Sequence, residues 1–156
     1  MDLLILRHAQ AQDLAPGADD AQRSLTLHGQ AQAQKIAHWL DQHAPKPLTI
    51  FCSPAKRTVQ TAEALNRPFE LSPGLSTQGN LETHLSLIQS HPAAHALLLI
   101  GHQPTLGELA AFLMTQDPNA YWDIKKAALW WFTLKQHPFQ AGTIINLKTV
   151  ISPKLL

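Results

Sequence analysis

The chain has 156 residues with a formal charge of +1, of which 45% are hydrophobic and 15% charged. That length suits one domain, 1–156, with a proper core and is too short for two comfortable ones, and the near-neutral balance gives no electrostatic case for nucleic acid or an anionic membrane. A lone cysteine, Cys52, excludes an internal disulfide and fits a reducing compartment; with no secretory leader pattern and no run of membrane-spanning length, the expectation is a soluble cytoplasmic domain.

Leu3, Leu4, Ile5 and Leu6 form an unbroken aliphatic run, which reads as a short strand buried on both faces, as in a parallel sheet flanked by helices. It runs straight into Arg7 and His8. Residues 9–25 are polar, hold Pro16, Gly17, Asp19 and Asp20, and read as a loop. From Thr26 the spacing turns helical, with Ala33, Ile36, Ala37 and Leu40 on one face until Pro45 and Pro47 close it. Residues 48–52 form a second strand. Ser53 and Pro54 follow as N-cap and first position of a helix that carries Arg57 and runs to about Leu65.

A weaker strand is expected at 69–71 and a helix at 81–89, built on Leu81, Leu85 and Ile88. Residues 96–100 give a clean buried strand ended by Gly101 and His102. Pro104 then opens a helix with Leu106, Leu109, Ala110 and Leu113 on one face. Residues 127–134 and 143–150 read as strands joined by a turn near 137–142, an edge hairpin. Strands alternating with helices predict an α/β three-layer sandwich around a mostly parallel sheet.

Right-handed crossovers put three strand ends on one edge, where ligands of open α/β sheets bind. Arg7 and His8, Ser53 leading to Arg57, and His102 would meet there. The chain has only four arginines, so two at one edge are informative. Guanidinium groups, imidazoles and helix N-termini together describe an oxyanion site.

The motifs Leu6-Arg7-His8-Ala9, Arg23-Ser24-Leu25-Thr26-x-x-Gly29, Ser53-Pro54-x-x-Arg57-x-x-Gln60-Thr61-Ala62 and Gly101-His102-Gln103-Pro104 closely resemble the histidine phosphatase superfamily. The short chain, and alanine after His8, look most like its SixA-type phosphohistidine phosphatases. The resemblance covers about residues 3–113. It implies a phosphoglycerate mutase-like fold, with His8 as the nucleophile that takes the phosphoryl group. It further implies that Arg7, Arg57 and His102 form the phosphate pocket, with Arg23 at its rim. The expected activity is metal-independent hydrolysis of phosphohistidine in a signalling or carrier protein, without a cofactor. The expected partners are that phosphoprotein, and phosphate or other oxyanions in the pocket.

One departure bears on substrate. Phosphomonoesterases of the superfamily typically carry a carboxylic acid for the leaving oxygen. Here Gln103 follows the second histidine, and Asn80 stands where small relatives often have aspartate. Glu82 is the one acid in the middle segment, and it reads as a solvated helix residue. A phosphomonoesterase for a small metabolite, using Glu82, is the second reading. A module that only binds phosphoprotein is the third, and the intact Arg7, His8, Arg57 and His102 speak against it. Glu108 suits a helix dipole. His91 and His95 lack the context of a zinc helix, and all histidines except His8 and His102 read as surface or loop residues. Lys125 and Lys126 read as solvated, Cys52 as a small core residue, and Trp130 and Trp131 as facing opposite ways. No long insertion is available as a lid, so the pocket is expected to be shallow and open.

Overall fold

The computed structural model describes residues 1–135 and 143–156. Its strands are β1 Asp2–Arg7, β2 Thr49–Cys52, β3 Glu70–Leu71, β4 Ala96–Gly101, β5 Leu129–Leu134 and β6 Ile145–Ile151. They form one sheet in the order β3-β2-β4-β1-β5-β6. β1, β2, β3 and β4 are parallel, while β5 and β6 pair antiparallel at one side. The expected mostly parallel α/β sheet is therefore the one observed.

Alternation along the strands decides the layers. Leu4, Leu6, Ile50, Leu98 and Ile100 face α1 (Leu27–His43) and α2 (Lys56–Glu63). Leu3, Ile5, Phe51, Leu97 and Leu99 face α3 (Leu81–Gln89) and α4 (Thr105–Thr115). β1 and β4 are central and covered on both sides, which explains their unbroken aliphatic runs. Trp131 turns toward α1, edge-on to Trp39 at 6.2 Å between ring centres, while Trp130 sits on the other face beside Trp122. Among the described residues, no helix is long and apolar enough to cross a membrane.

Three expectations need correction. Ser53 does not cap α2, which starts three residues later at Lys56 with Ala55 in the cap position and no side-chain cap. The Ser53 hydroxyl is engaged elsewhere, by His102. His84 is not a surface histidine: it is fully buried with Ile88 on the inner face of α3, its Nδ1 donating to Asn80 O at 2.6 Å. Leu81 and Leu85, expected to head that face, are only partly buried. The strand expected from residue 127 starts at Leu129, because Ala127 adopts a left-handed φ of 56° in a turn. The hairpin turn expected near 137–142 lies outside the described residues.

Candidate active site

Parallel register brings the strand ends together. Arg7 lies beside Gly101 across the β1–β4 ladder, and His8 N donates to Gly101 O at 3.1 Å. On the other side of β4, Ser53 N donates to Ile100 O at 3.0 Å. His8, Ser53 and His102 thus meet at the carboxyl edge of the sheet. The rings of His8 and His102 are 5.2 Å apart between centres.

The environment sets their protonation. His8 is 6% exposed, and burial pushes its pKa down to about 3; its bond to Ala9 opposes the shift, while His102, Arg57 and Arg7 add to it. His102 is pushed down to about 4, by burial first and then by Arg57. Both rings are therefore neutral at pH 7. The His8 Nδ1 lies 2.8 Å from Ala9 O, which can only accept, so the proton sits on Nδ1 and Nε2 holds a bare lone pair. The Ser53 hydroxyl accepts from Ala55 N at 3.3 Å and lies 2.7 Å from His102 Nε2, the one acceptor its own proton meets among the described residues, so the hydroxyl is assigned as the donor. That leaves the ring proton of His102 on Nδ1, a buried atom with no protein partner.

The arginines are aimed by neighbours that occupy one part of each guanidinium. Arg57, 2% exposed, donates from Nη1 to Asp20 O at 2.7 Å and from Nη2 to Asp20 Oδ2 at 2.9 Å. Arg23 reaches the other carboxylate oxygen of Asp20 at 2.8 Å and Gln12 O at 2.9 Å. Arg7 donates from Nη1 to Ile124 O at 2.7 Å and lies 3.8 Å from Asp123. The Nε of Arg7 and the Nε of Arg57 are buried without a partner. With His102 Nδ1, three unsatisfied N–H donors therefore belong to the three residues that add to burial in lowering the His8 pKa. Such donors are costly to bury unless an anion meets them, and together they describe an oxyanion receptor.

The motif residues between these groups fasten the edges. The Thr61 hydroxyl accepts from Ala9 N at 3.1 Å and donates to Arg57 O at 2.7 Å, tying the backbone after His8 to α2. Gln60 accepts from Leu25 N at 2.7 Å and so anchors the far end of the 9–25 segment. Thr26 caps α1 by accepting from Gly29 N at 2.9 Å.

Of the residues singled out in the sequence, His8, Arg7, Arg57 and His102 come together, and Arg23 stands at the edge through Asp20. Sequence reasoning missed Asp20 and Asp123, two carboxylates placed against the arginines; the three-residue spacing of Asp20 and Arg23 was the available signal. Burial opposes ionisation of Asp20, but the bonds and charges of Arg57 and Arg23 outweigh it and hold its pKa below the usual carboxylate range. Asp123 is likewise held low, first by its bond to Lys125 and also by Arg7. Gln103 donates from Nε2 to Tyr121 Oη and Trp122 O, both at 3.0 Å. Glu82 and Glu108 line a separate groove between α3 and α4 that none of the four central residues borders. Among the described residues, no three His, Cys, Asp or Glu side chains gather as metal ligands.

Comparison with known proteins agrees with this geometry. Residues 3–79 match the family model of the histidine phosphatase superfamily, branch 1. An uncharacterized protein of Picosynechococcus is 34% identical over 164 residues, covering 100% of this chain and 99% of that one. The structure of the protein histidine phosphatase SixA complexed with tungstate superposes with a TM-score of 0.82 at 26% identity, covering 99% of each chain. A structure from Agrobacterium tumefaciens, provisionally named phosphohistidine phosphatase SixA, gives 0.81 at 25% identity, with 97% and 98% covered. The α-ribazole phosphatase of Shigella flexneri shares the fold, at a TM-score of 0.77 and 17% identity over 98% and 97%. With its paired strand-end histidines and two inward arginines, the chain belongs to the histidine phosphatase superfamily.

Proposed function

We propose that the chain removes the phosphoryl group from phosphohistidine in a protein, through a phosphorylated His8 and without a metal ion. One observation carries this reading: a neutral His8 with a bare Nε2 lies among three unpartnered donors, while both carboxylates beside the arginines are held ionised.

In the first step, the Nε2 lone pair forms a bond to phosphorus as the substrate's N–P bond breaks. The substrate ring, protonated on its other nitrogen, leaves as neutral imidazole. Arg7 Nε–H, Arg57 Nε–H and His102 Nδ1–H meet the phosphoryl oxygens, where the transition state spreads its charge. In the second step, water attacks phosphorus, the Nε2–P bond breaks and the water's proton passes to the phosphate product. His8 also departs neutral, because its Nδ1 proton stays on the bond to Ala9 O. Neither step needs a carboxylic acid. An ester of a small metabolite expels an alkoxide and does need one, and nothing near His8 favours that second reading.

The test is turnover of a phosphohistidine-bearing carrier protein. His8→Ala removes it, and brief labelling of wild type followed by an alkaline denaturing quench traps phosphate in the peptide containing residue 8. Activity persists in excess EDTA, because Arg7 and Arg57 supply the positive charge that a metal gives elsewhere. Turnover surviving in His8→Ala, or lost on chelation and restored by one divalent ion, overturns the reading.

A further inference from the structure

Beside the candidate active site, and sharing Arg7 with it, lies a cavity of about 390 Å³ bordered by Gln32, Asp123, Lys125, Lys126 and Lys154. Its cations come from separate parts of the chain. Lys125 and Lys126 sit on the turn before β5, which is fastened to the strand end: Ile124 O accepts from Arg7 Nη1, and Ala127 N donates to Arg7 O and His8 O, both at 3.2 Å. Closing that turn puts Ala127, a residue with a side chain, at a φ of 56°. Such backbone is costly for a residue with a side chain and persists where the surroundings impose it. Lys154 comes from the segment after β6, held by Lys35 Nζ donating to Pro153 O at 3.3 Å. Asp123 is already engaged by Lys125 and Arg7. Lys126 and Lys154 are exposed and have no ion pair among the described residues. Four cations around one committed carboxylate leave the cavity with excess positive charge in a chain whose formal total is only +1.

We propose that this cavity receives a carboxylate of the polypeptide that carries the phosphohistidine, so that acidic residues flanking the modified histidine are a recognition element. The inference rests on the phosphohistidine-protein reading above and adds to it the charge of the partner. Arg7 belongs to the candidate active site and also borders this cavity, so carboxylates near the phosphohistidine in sequence reach the lysines. The lysines are exposed, so their contribution acts mainly on encounter and falls with salt. It does not take part in the chemical step.

Three synthetic peptides test it, each phosphorylated on a single histidine with phosphoramidate and flanked by Glu, by Gln or by Lys. The readout is the ratio of kcat/KM between the Glu and Lys peptides within one enzyme, which cancels any change in folding or basal turnover. In wild type at low salt the ratio is about tenfold or more, the size expected of two exposed ion pairs. It collapses toward one in Lys126→Ala/Lys154→Ala and in wild type at about 0.5 M KCl. Should the double variant not fold, Lys126→Glu alone lowers or inverts the order. Equal turnover of all three peptides by wild type overturns the proposal and leaves the phosphohistidine reading standing. A ratio that survives in the double variant also overturns it. No turnover of any of the three removes the reading on which it rests.

Discussion

Two hydrogen bonds from Arg57, one to the backbone and one to the carboxylate of Asp20, fix the guanidinium and leave its Nε buried without a partner. Asp20 therefore aims Arg57 and, in the proposed reaction, also places a negative charge near the phosphoryl group. The two effects are separable. In Asp20→Ala, Arg57 and Arg23 lose their shared anchor, and kcat falls about 10- to 100-fold, as small misplacements in active sites do. Tungstate binding, freed of the repelling charge, is unchanged or tighter; weaker binding in proportion to kcat would mean that Asp20 only holds the fold. The histidines make a pH prediction. Their folded pKa values of about 3 and 4 lie below the ordinary 6.5 of the unfolded chain, so the unfolded state binds more protons between roughly pH 3 and 6.5. Stability rises with pH across that window and is lost as pH falls through it. Tm measured from pH 7 down to 4 should fall more steeply in wild type than in His8→Phe, whose residue 8 cannot titrate. Identical slopes would mean that His8 is not held neutral.

At the scale of elements, α1 starts against the chain leaving β1. A Cβ added to Gly29 would lie 2.0 Å from Gln10 O, a backbone atom that cannot swing away. Helix propensity alone favours alanine there by about 1 kcal/mol, but the collision costs more, about 1–3 kcal/mol net. Gly29→Ala should therefore lower Tm by about 2–10 °C, and calorimetry showing a rise would mean the contact relaxes freely. The same element boundaries show what the sequence made legible. Thr26 as a cap, the apolar face of α1 and the aliphatic runs of β1 and β4 follow from local rules, and the structure has them. Ser53 obeyed the same rule on paper. Its hydroxyl instead serves His102, forty-nine residues away in sequence, and a long-range partner leaves no periodic trace. His84 was misplaced for a related reason: its Nδ1 is satisfied by a carbonyl one turn earlier, which lets a polar ring lie inward beside Ile88. The four central site residues were readable because each ends a strand or opens a helix at the expected edge. Asp20 and Asp123 lie in irregular segments, and only the folded chain shows them against the arginines.

Over the whole molecule, the sheet gathers cations on one edge, and the side chains at positions where an acid could act are engaged elsewhere. Asn80 caps α3, Gln103 is tied to Tyr121 and Trp122, and Glu82 lines a groove elsewhere. The two carboxylates that do reach the arginines are kept ionised, Asp20 by Arg57 and Arg23, Asp123 mainly by Lys125. An ionised carboxylate cannot protonate a leaving group, and general-acid catalysis is worth about 10²–10⁴-fold. The penalty falls unequally on substrates. Phosphohistidine leaves as neutral imidazole and loses little; phosphoserine must expel an alkoxide and loses the full factor. Aryl phosphates, whose phenolate departs more readily, fall between. In one assay series at pH 7, kcat/KM should therefore decrease from a phosphohistidine peptide to p-nitrophenyl phosphate to a phosphoserine peptide, the first and last differing by about that factor. Glu82→Gln should leave the first value within about twofold, since the groove holding Glu82 is not bordered by His8. Phosphoserine cleaved as fast as phosphohistidine, with Glu82→Gln abolishing the reaction, would identify Glu82 as the acid and make the chain an esterase.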